Sequence, residues 1–428
     1  MTAYAAETDV LTGSCGEALT WTYDRTSKTL TVSGEGPMQN YEKLNEAPWS
    51  PYSDEISALK IEEGVTSIGY LSFMYLEQLT EVVIPEGVTY IGGNAFFGCS
   101  VLREISLPES VSFIGGWAFD YTAWVEAKRA ENPFVIVNGI LIDGQSCTGA
   151  VVIPEQVSEI GDAAFTNNSK ITAVTIPESV TSIGGNAFAR CTALKEVTFP
   201  ESLHYIGGWA FDSTVWLKEQ RKVSPLVIFN QMLIDGQTCT GEVVIPEGIR
   251  LICGGAFETS SLTAVTIPES TEIIDYRVFS ECRKLTAVTI PENVKEIGMH
   301  AFRECSKLTD ITIPESVTEI GTEVFLYCCA ENFTISGYAG SRAESYAAEN
   351  HIPFRVLERK GTGLPGDVNE DGVTDVSDAV ILARFAAEDA GAVISAQGKK
   401  NADCNKNGKP DPEDVVLILK AIAKLITL

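Results

Sequence analysis

A repeat of about 23 residues runs through most of the chain and limits the folds available to it. Its clearest marker is a proline that follows Ile, Leu or Phe, and successive prolines of this kind are 22, 23 or 46 residues apart. They are Pro85, Pro108, Pro154, Pro177, Pro200, Pro246, Pro268, Pro291 and Pro314. A fixed period in this range predicts a solenoid, in which each repeat buries its apolar face on its neighbours.

The repeat unit reads L-x-x-V-x-I-P-E-x-V-x-x-I-G-x-x-A-F-x-x-C, and Leu262, Val265 and Ile267 show its leucine-rich spacing. Alternate side chains of such a short strand point into the core. A phenylalanine stands eleven residues after every proline position and predicts a stacked core, at Phe73, Phe96, Phe119, Phe165, Phe188, Phe211, Phe257, Phe279, Phe302 and Phe325. Three residues after the phenylalanine most repeats have a cysteine, and one has an asparagine: Cys99, Cys191, Cys282, Cys305, Cys328 and Asn168. We expect the cysteines to form a buried column of free thiols. The alternative is that neighbouring cysteines are oxidised to disulfides.

The two gaps of 46 residues contain near copies of one insertion, ILIDGQSCTGAVVIPE at 140–155 and MLIDGQTCTGEVVIPE at 232–247. In the first copy, Val135–Val137 and Ile140–Ile142 flank Asn138-Gly139, which predicts a two-residue hairpin turn. The second copy has Asn230-Gln231 there, a weaker turn signal. We interpret both as a projecting hairpin or an irregular double coil.

On these motifs, residues 59–357 resemble the leucine-rich repeats of bacterial surface proteins, whose signature is IPxSVxxIGxxAFxxC. Residues 13–58 resemble the β-rich cap that often precedes such repeats, and ISGYAGSRAESYAAENHIPFRVL resembles the cap that closes them. The resemblance implies an α/β solenoid with a parallel β-sheet and short helical turns. It places an N-terminal β-rich cap at 1–58 and the solenoid with its closing cap at 59–357.

The repeats carry little that points to catalysis. His204, His300 and His351 stand in different contexts, and no G-x-S-x-G, H-E-x-x-H or C-x-x-C motif occurs. Glycoside hydrolysis needs two carboxylates in different environments, whereas the glutamate after each repeat proline has the same environment every time. These glutamates are Glu86, Glu109, Glu155, Glu178, Glu201, Glu247, Glu269, Glu292 and Glu315. We interpret them as a row of solvated side chains. The alternative is that they bind a cation or a basic partner.

The ninth position after the proline varies beside the constant phenylalanine, which predicts that it faces outward. It is occupied by Asn94, Trp117, Asn186, Trp209, Arg277 and His300. Trp117 and Trp209, with Trp124 and Trp216 in the insertions, are the candidates for an exposed ligand-binding surface, and packing beneath the insertion is the alternative. The strand face carries mainly Ser and Thr two residues before the prolines, and lacks the aromatic platforms of a sugar-binding groove.

Charge and hydropathy exclude several classes of partner. The net charge is 31 − 58 = −27, which argues against nucleic acid and against an anionic membrane surface. No apolar run approaches the ~20 residues of a membrane span. Ala3-Tyr4-Ala5 has the small-x-small pattern of a signal cleavage site, so we expect a secreted protein.

After a Gly- and Pro-containing linker at 358–365, the pattern D-x-N-x-[DN]-G-x5-D occurs at Asp367 and again 36 residues later at Asp403. Each copy leads into an amphipathic run. Calcium takes about six to eight oxygen ligands, and this spacing supplies them from side chains and one backbone carbonyl per loop. We predict two Ca²⁺ ions, one held by Asp367, Asn369, Asp371, the Val373 carbonyl, Asp375 and Asp378, the other by Asp403, Asn405, Asn407, the Lys409 carbonyl, Asp411 and Asp414. Asp replaces the EF-hand Glu at position 12, and we expect the less acidic second loop to bind more weakly.

The duplicated loop-helix units at 366–428 closely resemble the type I dockerin family. The resemblance implies folding on calcium binding and docking onto a cohesin domain of a cellulosome scaffold. The contact positions of that family correspond here to Val376, Ser377 and Arg384 in the first half and to Pro412, Glu413 and Lys420 in the second. Because the halves differ, we expect one dominant docking orientation.

The leading interpretation is a secreted, non-catalytic protein whose dockerin docks onto a scaffold. Its repeats would bind a protein, a cell surface or a plant polymer. A first alternative is a cellulosomal enzyme of polysaccharide hydrolysis, since dockerins usually accompany glycoside hydrolases. A second is a structural spacer or adhesin.

Overall fold

The computed structural model describes residues 9–328, 333–357, 363–389 and 391–428. The proposed cleavage motif Ala3-Tyr4-Ala5 and residues 358–362 of the predicted linker lie outside these ranges. The chain divides into two compact units, residues 1–309 with 319–331, and residues 310–318 with 332–428.

The first unit begins with a small β-sheet. Val10–Ser14, Leu19–Asp24 and Thr29–Gly34 are antiparallel neighbours, and Ala58–Ile61 pairs in parallel with the third of them. A short 3-10 turn lies at Ser50–Tyr52. The second strand contributes the buried side chains of Trp21 and Tyr23. Trp49 is also buried, and its ring stacks at 5.5 Å on Phe73, the first of the repeated phenylalanines. This part of the chain is β-rich, as expected.

Each repeat contributes two short strands, one before its proline and one after it. Both sets pair in parallel, and partners such as Thr175 and Thr198 are one period apart. The strands before the prolines are Glu81–Val83, Glu104–Ser106, Gly149–Val152, Ile171–Thr175, Glu196–Thr198, Thr240–Val244, Ser261–Thr266 and Ala287–Thr289. The second set comprises Gly36–Pro37, Val65–Ile68, Tyr90–Ile91, Phe113–Ile114, Ile140–Asp143, Glu159–Ile160, Ser182–Ile183, Tyr205–Ile206, Met232–Asp235, Leu251–Ile252, Ile273–Ile274, Glu296–Ile297 and Glu319–Ile320. The predicted parallel solenoid is confirmed.

The repeated phenylalanines form stacked columns in the core. Phe188 is fully buried, and its ring lies 4.9 Å from that of Phe165 and 5.3 Å from that of Phe211, nearly parallel to both. The repeated cysteines are also buried and free. The thiol of Cys191 donates a hydrogen bond to the Phe165 carbonyl of the preceding coil at 3.0 Å. The same contact recurs at Cys99, Cys282, Cys305 and Cys328, so the column of buried free thiols is confirmed.

Each insertion consists of a helix and a hairpin. The helices, α1 at Ala123–Glu131 and α2 at Val215–Val223, are capped by the side chains of Thr122 and Thr214. The hairpins pair Val135–Val137 with Ile140–Asp143, and Val227–Phe229 with Met232–Asp235. Both residues of each turn have positive φ, which confirms the first hairpin and shows that Asn230-Gln231 makes the same turn.

The described residues of the second unit form a sheet and four helices. Asp310–Thr312, Thr334–Gly337 and Phe354–Val356 form a parallel sheet next to α3, at Arg342–Glu349. The C-terminal region folds into α4 at Val376–Ala386, α5 at Ala396–Ala402 and α6 at Pro412–Ile422. Their small core is Val368, Ala379, Leu382, Ile394, Ala402 and Ile418. Within the described ranges no helix is both long and apolar enough to span a membrane.

Candidate calcium loops and recognition surfaces

The first loop is organised by two buried carboxylates. Asp367 accepts hydrogen bonds from the backbone N–H groups of Asp371 at 3.1 Å and Gly372 at 3.0 Å. Asp378 accepts from Val368 at 2.7 Å and Asn369 at 3.0 Å with one oxygen, and from Asp375 at 2.8 Å with the other. The sharp turn needs Gly372, whose φ is +89°. The loop therefore closes around its first and last acidic residues.

The second loop repeats this arrangement 36 residues later. Asp403 accepts hydrogen bonds from Asn407 and Gly408, both at 2.9 Å. Asp414 accepts from Asn405 at 3.1 Å and Asp411 at 3.0 Å, one bond fewer than its counterpart Asp378. Two loops of the same sequence pattern therefore have the same backbone geometry.

Each loop leads directly into a capped helix. Asp375 caps α4 by accepting from the Ser377 N–H at 2.7 Å, and Asp411 caps α6 by accepting from the Glu413 N–H at 2.8 Å. Hydrogen bonds from Ser377 hold the pKa of Asp375 below its usual value, and a bond from the Asn407 side chain does the same for Asp411. Asp375 and Asp411, both of them predicted calcium ligands, are therefore ionised helix caps.

The donor set fits a hard divalent cation. Burial raises the pKa of Asp367, and the neighbouring carboxylates of Asp378 and Asp371 raise it further. A cation at this point would offset that repulsion, and calcium also accepts the Asn369 amide oxygen and the Val373 carbonyl oxygen that the loop offers. Within the described ranges no three His, Cys, Asp or Glu side chains already converge on a metal-sized site.

The outer faces of α4 and α6 carry exposed apolar residues between polar and charged ones. All six predicted cohesin contacts are exposed, and Arg384 pairs with Asp389 at 2.8 Å. Between them lie Val380, which is 51% exposed, and its counterpart Val416, which is 49% exposed. Leu419 is a further exposed apolar residue on α6. The sequence analysis did not predict these three residues. Val380 lies four residues after Val376, and Val416 and Leu419 lie four and seven residues after Pro412, so helical spacing on an amphipathic run could have indicated them.

The structure separates the four candidate tryptophans into two pairs. Trp117 is 38% exposed and Trp209 is half-buried, and both have positive φ at the outward position of their coils. Trp124 and Trp216 are each only 8% exposed, so the expectation that they are exposed aromatics is wrong. They form the first turns of α1 and α2, which cover the phenylalanine column, and Trp216 lies 4.8 Å from the Phe211 ring. Packing beneath the insertion is their role.

Comparison with known protein families agrees with this geometry. The family described as BspA type Leucine rich repeat region matches residues 50–132, 145–234 and 235–350 in six copies. The chain belongs to this family. The Dockerin type I domain family matches residues 365–423, which contain both loops and α4 to α6. Type I dockerin domains bind calcium.

Several solved structures are similar to this BspA-type protein. A leucine-rich repeat protein from Eubacterium ventriosum is 20% identical over 74% of this chain and 95% of its own, with a TM-score of 0.28. A leucine rich cell surface protein from Faecalibacterium prausnitzii is 22% identical over 80% and 98%, with a TM-score of 0.29. The pneumococcal vaccine antigen PcpA is 14% identical over 80% and 98%, with a TM-score of 0.28. No curated protein matches the chain.

Two half-buried carboxylates of the BspA-type repeats, Asp162 and Asp275, make structural contacts. Asp162 accepts from the Gly185 N–H at 2.7 Å, and Asp275 accepts from the Gly254 N–H at 3.1 Å and from the Tyr205 hydroxyl at 3.3 Å. Burial raises the pKa of both carboxyls. Each of the two therefore stabilises the turn between coils.

Proposed function

We propose that this protein is non-catalytic and that its dockerin, loaded with two Ca²⁺ ions, docks onto a cohesin domain of a cellulosome-type scaffold. The BspA-type repeats then act as an arm that binds a further ligand. The proposal rests on the duplicated loop, because each copy leads into a helix that has exposed apolar residues on its outer face. Attachment through a scaffold implies a secreted or cell-surface location.

Calcium would act as a cross-link within each loop. The side chains of Asp367, Asn369, Asp371, Asp375 and Asp378, with the carbonyl of Val373, would hold the first ion. Because Asp367 precedes α4 and Asp378 lies in its first turn, an ion bound to both would fix the loop against the helix. The second ion would be held by Asp403, Asn405, Asn407, Asp411 and Asp414 with the carbonyl of Lys409.

The second loop is expected to bind its ion more weakly than the first. Asn407 replaces the carboxylate of Asp371, and Lys406 and Lys409 add positive charge nearby. Fewer negative ligands lower the affinity for calcium. The first loop would therefore fold at lower calcium concentrations than the second.

The cohesin-binding surface would consist of the two exposed helix faces. Val376, Ser377, Val380 and Arg384 form the face on α4. Pro412, Glu413, Val416, Leu419 and Lys420 form the face on α6. An exposed apolar centre with a charged rim is typical of a protein-binding surface. Because the faces differ in charge and size, we propose that one of them dominates docking.

The test is binding of the full chain to a panel of cohesins, in calcium and then in chelator. We expect at least one cohesin to bind in calcium and to dissociate in chelator. Val380→Asp and Val416→Asp are compared singly and together, and Val223→Asp on α2 is the control because Val223 is also an exposed valine. The double variant should bind at least tenfold more weakly, and one single variant should account for most of that loss.

Two results would count against parts of this proposal, the first against cohesin docking and the second against a single docking orientation. If no cohesin binds although calcium folds the module, the loops are a structural clip. If both single variants retain binding while the double variant loses it, either face suffices and docking has two orientations rather than one.

A further inference from the structure

An open cavity of about 360 Å³ lies on the repeats beside Trp117. One wall is aromatic and consists of Phe97, Trp117 and Tyr121. The other wall consists of the uncharged polar residues Gln145, Thr166 and Asn167, and Asp120 and Arg129 also line the cavity. A cavity of this size with aromatic and a few polar side chains is typical of a small-molecule or oligomer site.

The aromatic wall extends across adjacent coils. The Phe97 ring meets Tyr121 edge to face at 5.0 Å and Tyr75 at 5.8 Å. Tyr121 is 66% exposed, although large aromatic side chains of this kind are usually at least half-buried. The aromatic strip from Tyr75 to Tyr121 is therefore long enough to contact several units of a chain-like ligand.

The near-duplicate insertion fills the corresponding space with the protein's own side chains. There the Trp209 ring is contacted by Tyr276 at 5.1 Å and lies 5.6 Å from the Arg277 guanidinium. Arg277 also pairs with Glu258 at 2.6 Å, so its side chain spans the space between Trp209 and Glu258.

The first copy lacks each of these three covering groups. Gly185 stands where the second copy has Tyr276, Asn186 stands where it has Arg277, and Thr166 stands where it has Glu258. The difference leaves the cavity beside Trp117 uncovered, although the Asp120 carboxylate still lines it.

The charged side chains at the edge of the cavity form one cluster, in which the single Arg129 guanidinium is shared by Asp120, Asp143 and Glu126 and a net negative charge remains. Asp120 pairs with Arg129 at 2.8 Å, and the same guanidinium donates through Nε to the buried Asp143 at 2.9 Å. The net charge of −27 disfavours an anionic ligand. The electronegative faces of the aromatic rings attract weakly positive C–H groups. On the opposite wall the Thr166 hydroxyl donates to the Asn186 carbonyl and the Gln145 amide nitrogen to the Thr166 carbonyl, so their side-chain oxygen atoms and the Asn167 amide are the groups that suit hydroxyl groups. A sugar ring has both features.

We propose that the cavity between the Phe97, Trp117 and Tyr121 rings and the Gln145, Thr166 and Asn167 side chains binds a neutral oligosaccharide. This inference rests on the proposed role of the repeats as a ligand-binding arm, and it specifies the ligand class. The sugar stacks on the aromatic wall and exchanges hydrogen bonds with the polar wall. The copy at Trp209 is closed to such a ligand.

The experiment uses the calcium-loaded full chain with three neutral probes, cellohexaose, mannohexaose and maltohexaose, measured by titration calorimetry. Trp117→Asn removes the ring, and Trp209→Asn is the matched control in the covered copy. Asparagine suits both positions because Asn94 and Asn186 occupy the same column with a φ of 55°. We expect at least one hexaose to bind at one site per chain, at least tenfold more weakly to Trp117→Asn, and within twofold of the unmodified protein to Trp209→Asn.

A second variant closes the cavity without removing its rings. Thr166→Glu together with Asn186→Arg reproduces the ion pair that covers Trp209, so it should abolish hexaose binding while the chain stays folded. Tyr121→Ala should weaken binding without affecting the fold, because Tyr121 is mostly exposed.

The assignment is overturned if none of the three hexaoses binds, or if Trp209→Asn loses as much affinity as Trp117→Asn. It is also overturned if N-acetyl-arginine amide binds at Trp117 and no hexaose does, since the site would then take a cation. Cohesin binding is measured on the same variants. A variant that loses hexaose binding but keeps normal cohesin binding is affected in the repeats alone. A variant that loses cohesin binding but keeps hexaose binding is affected in the dockerin alone.

Discussion

Replacing Asp378 by asparagine tests whether the first loop depends on a buried carboxylate. In the structure, one oxygen of Asp378 accepts two backbone N–H groups and the other accepts the N–H of Asp375 at 2.8 Å. An asparagine at this position would keep the first pair of bonds. Its amide N–H₂ would face the Asp375 N–H, so two donors would meet in a buried site.

The expected cost follows from one lost bond. A hydrogen bond to a charged group contributes about 1.5–3 kcal/mol, and leaving its buried partner unpaired costs a similar amount. Since about 1.4 kcal/mol corresponds to a factor of ten, the calcium affinity of the first loop should fall about 10- to 100-fold. Loss of one negative ligand acts in the same direction.

The assay is calcium titration of the full chain by calorimetry. Asp378→Asn should weaken one of two binding events, and Asp414→Asn should weaken the other. Glu370→Gln is the matched control, because it removes one negative charge from the same loop at a position that is not a predicted ligand. If Asp378→Asn and Glu370→Gln change calcium binding equally, the closing role of Asp378 is refuted.

Three further predictions concern the repeats. Phe188→Ala should lower the free energy of unfolding by about 3–5 kcal/mol, measured with guanidinium, because a fully buried ring with two stacked neighbours is lost. Native Cys99 and Cys191 should not react with Ellman's reagent at pH 8, since burial raises the pKa of each thiol to about 12, and should react after unfolding. Gln231→Gly should stabilise the protein by about 0.5–1 kcal/mol, measured by thermal unfolding, because Gln231 has a φ of 64°.

Each of these three predictions has its own control. Phe113→Ala is the control for Phe188→Ala, because Phe113 also stacks on an aromatic ring, Tyr90, but is only half-buried. If both variants lower the free energy of unfolding equally, the buried phenylalanine column is not the main source of stability. Rapid reaction of the native thiols would contradict their burial. Gly139→Gln makes the reverse change at the equivalent turn position of the first copy and should destabilise the protein. A destabilised Gln231→Gly would show that the left-handed backbone is not strained there.

The repeat architecture could be predicted because its information is local and periodic. One residue type at a constant offset, such as the phenylalanine eleven residues after each proline position, can be satisfied in every coil only if the coils stack. The calcium loops could be predicted for a related reason. Loop ligands, sharp turn and helix cap all lie within twelve residues, from Asp367 to Asp378, so spacing alone specifies them.

The difference in exposure between Trp117 and Trp209 could not be predicted, because it depends on neighbours that are distant in sequence. The burial of Trp124 and Trp216 is local, since α1 and α2 turn them onto Phe119 and Phe211, five residues earlier. Trp117 and Trp209 occupy equivalent positions in near-identical insertions. Trp209 is covered because Tyr276 and Arg277 arrive from a coil more than 60 residues later.

The sequence by itself therefore determined the solenoid, the buried phenylalanine and cysteine columns, and the two calcium-type loops, since each arises from contacts between residues at a constant spacing. Only the tertiary structure decided which surface is open. The Trp117 ring lines an open cavity with Phe97 and Tyr121, whereas Tyr276 and Arg277 cover the Trp209 ring in the second copy. Packing between coils, rather than any local pattern, determines that difference.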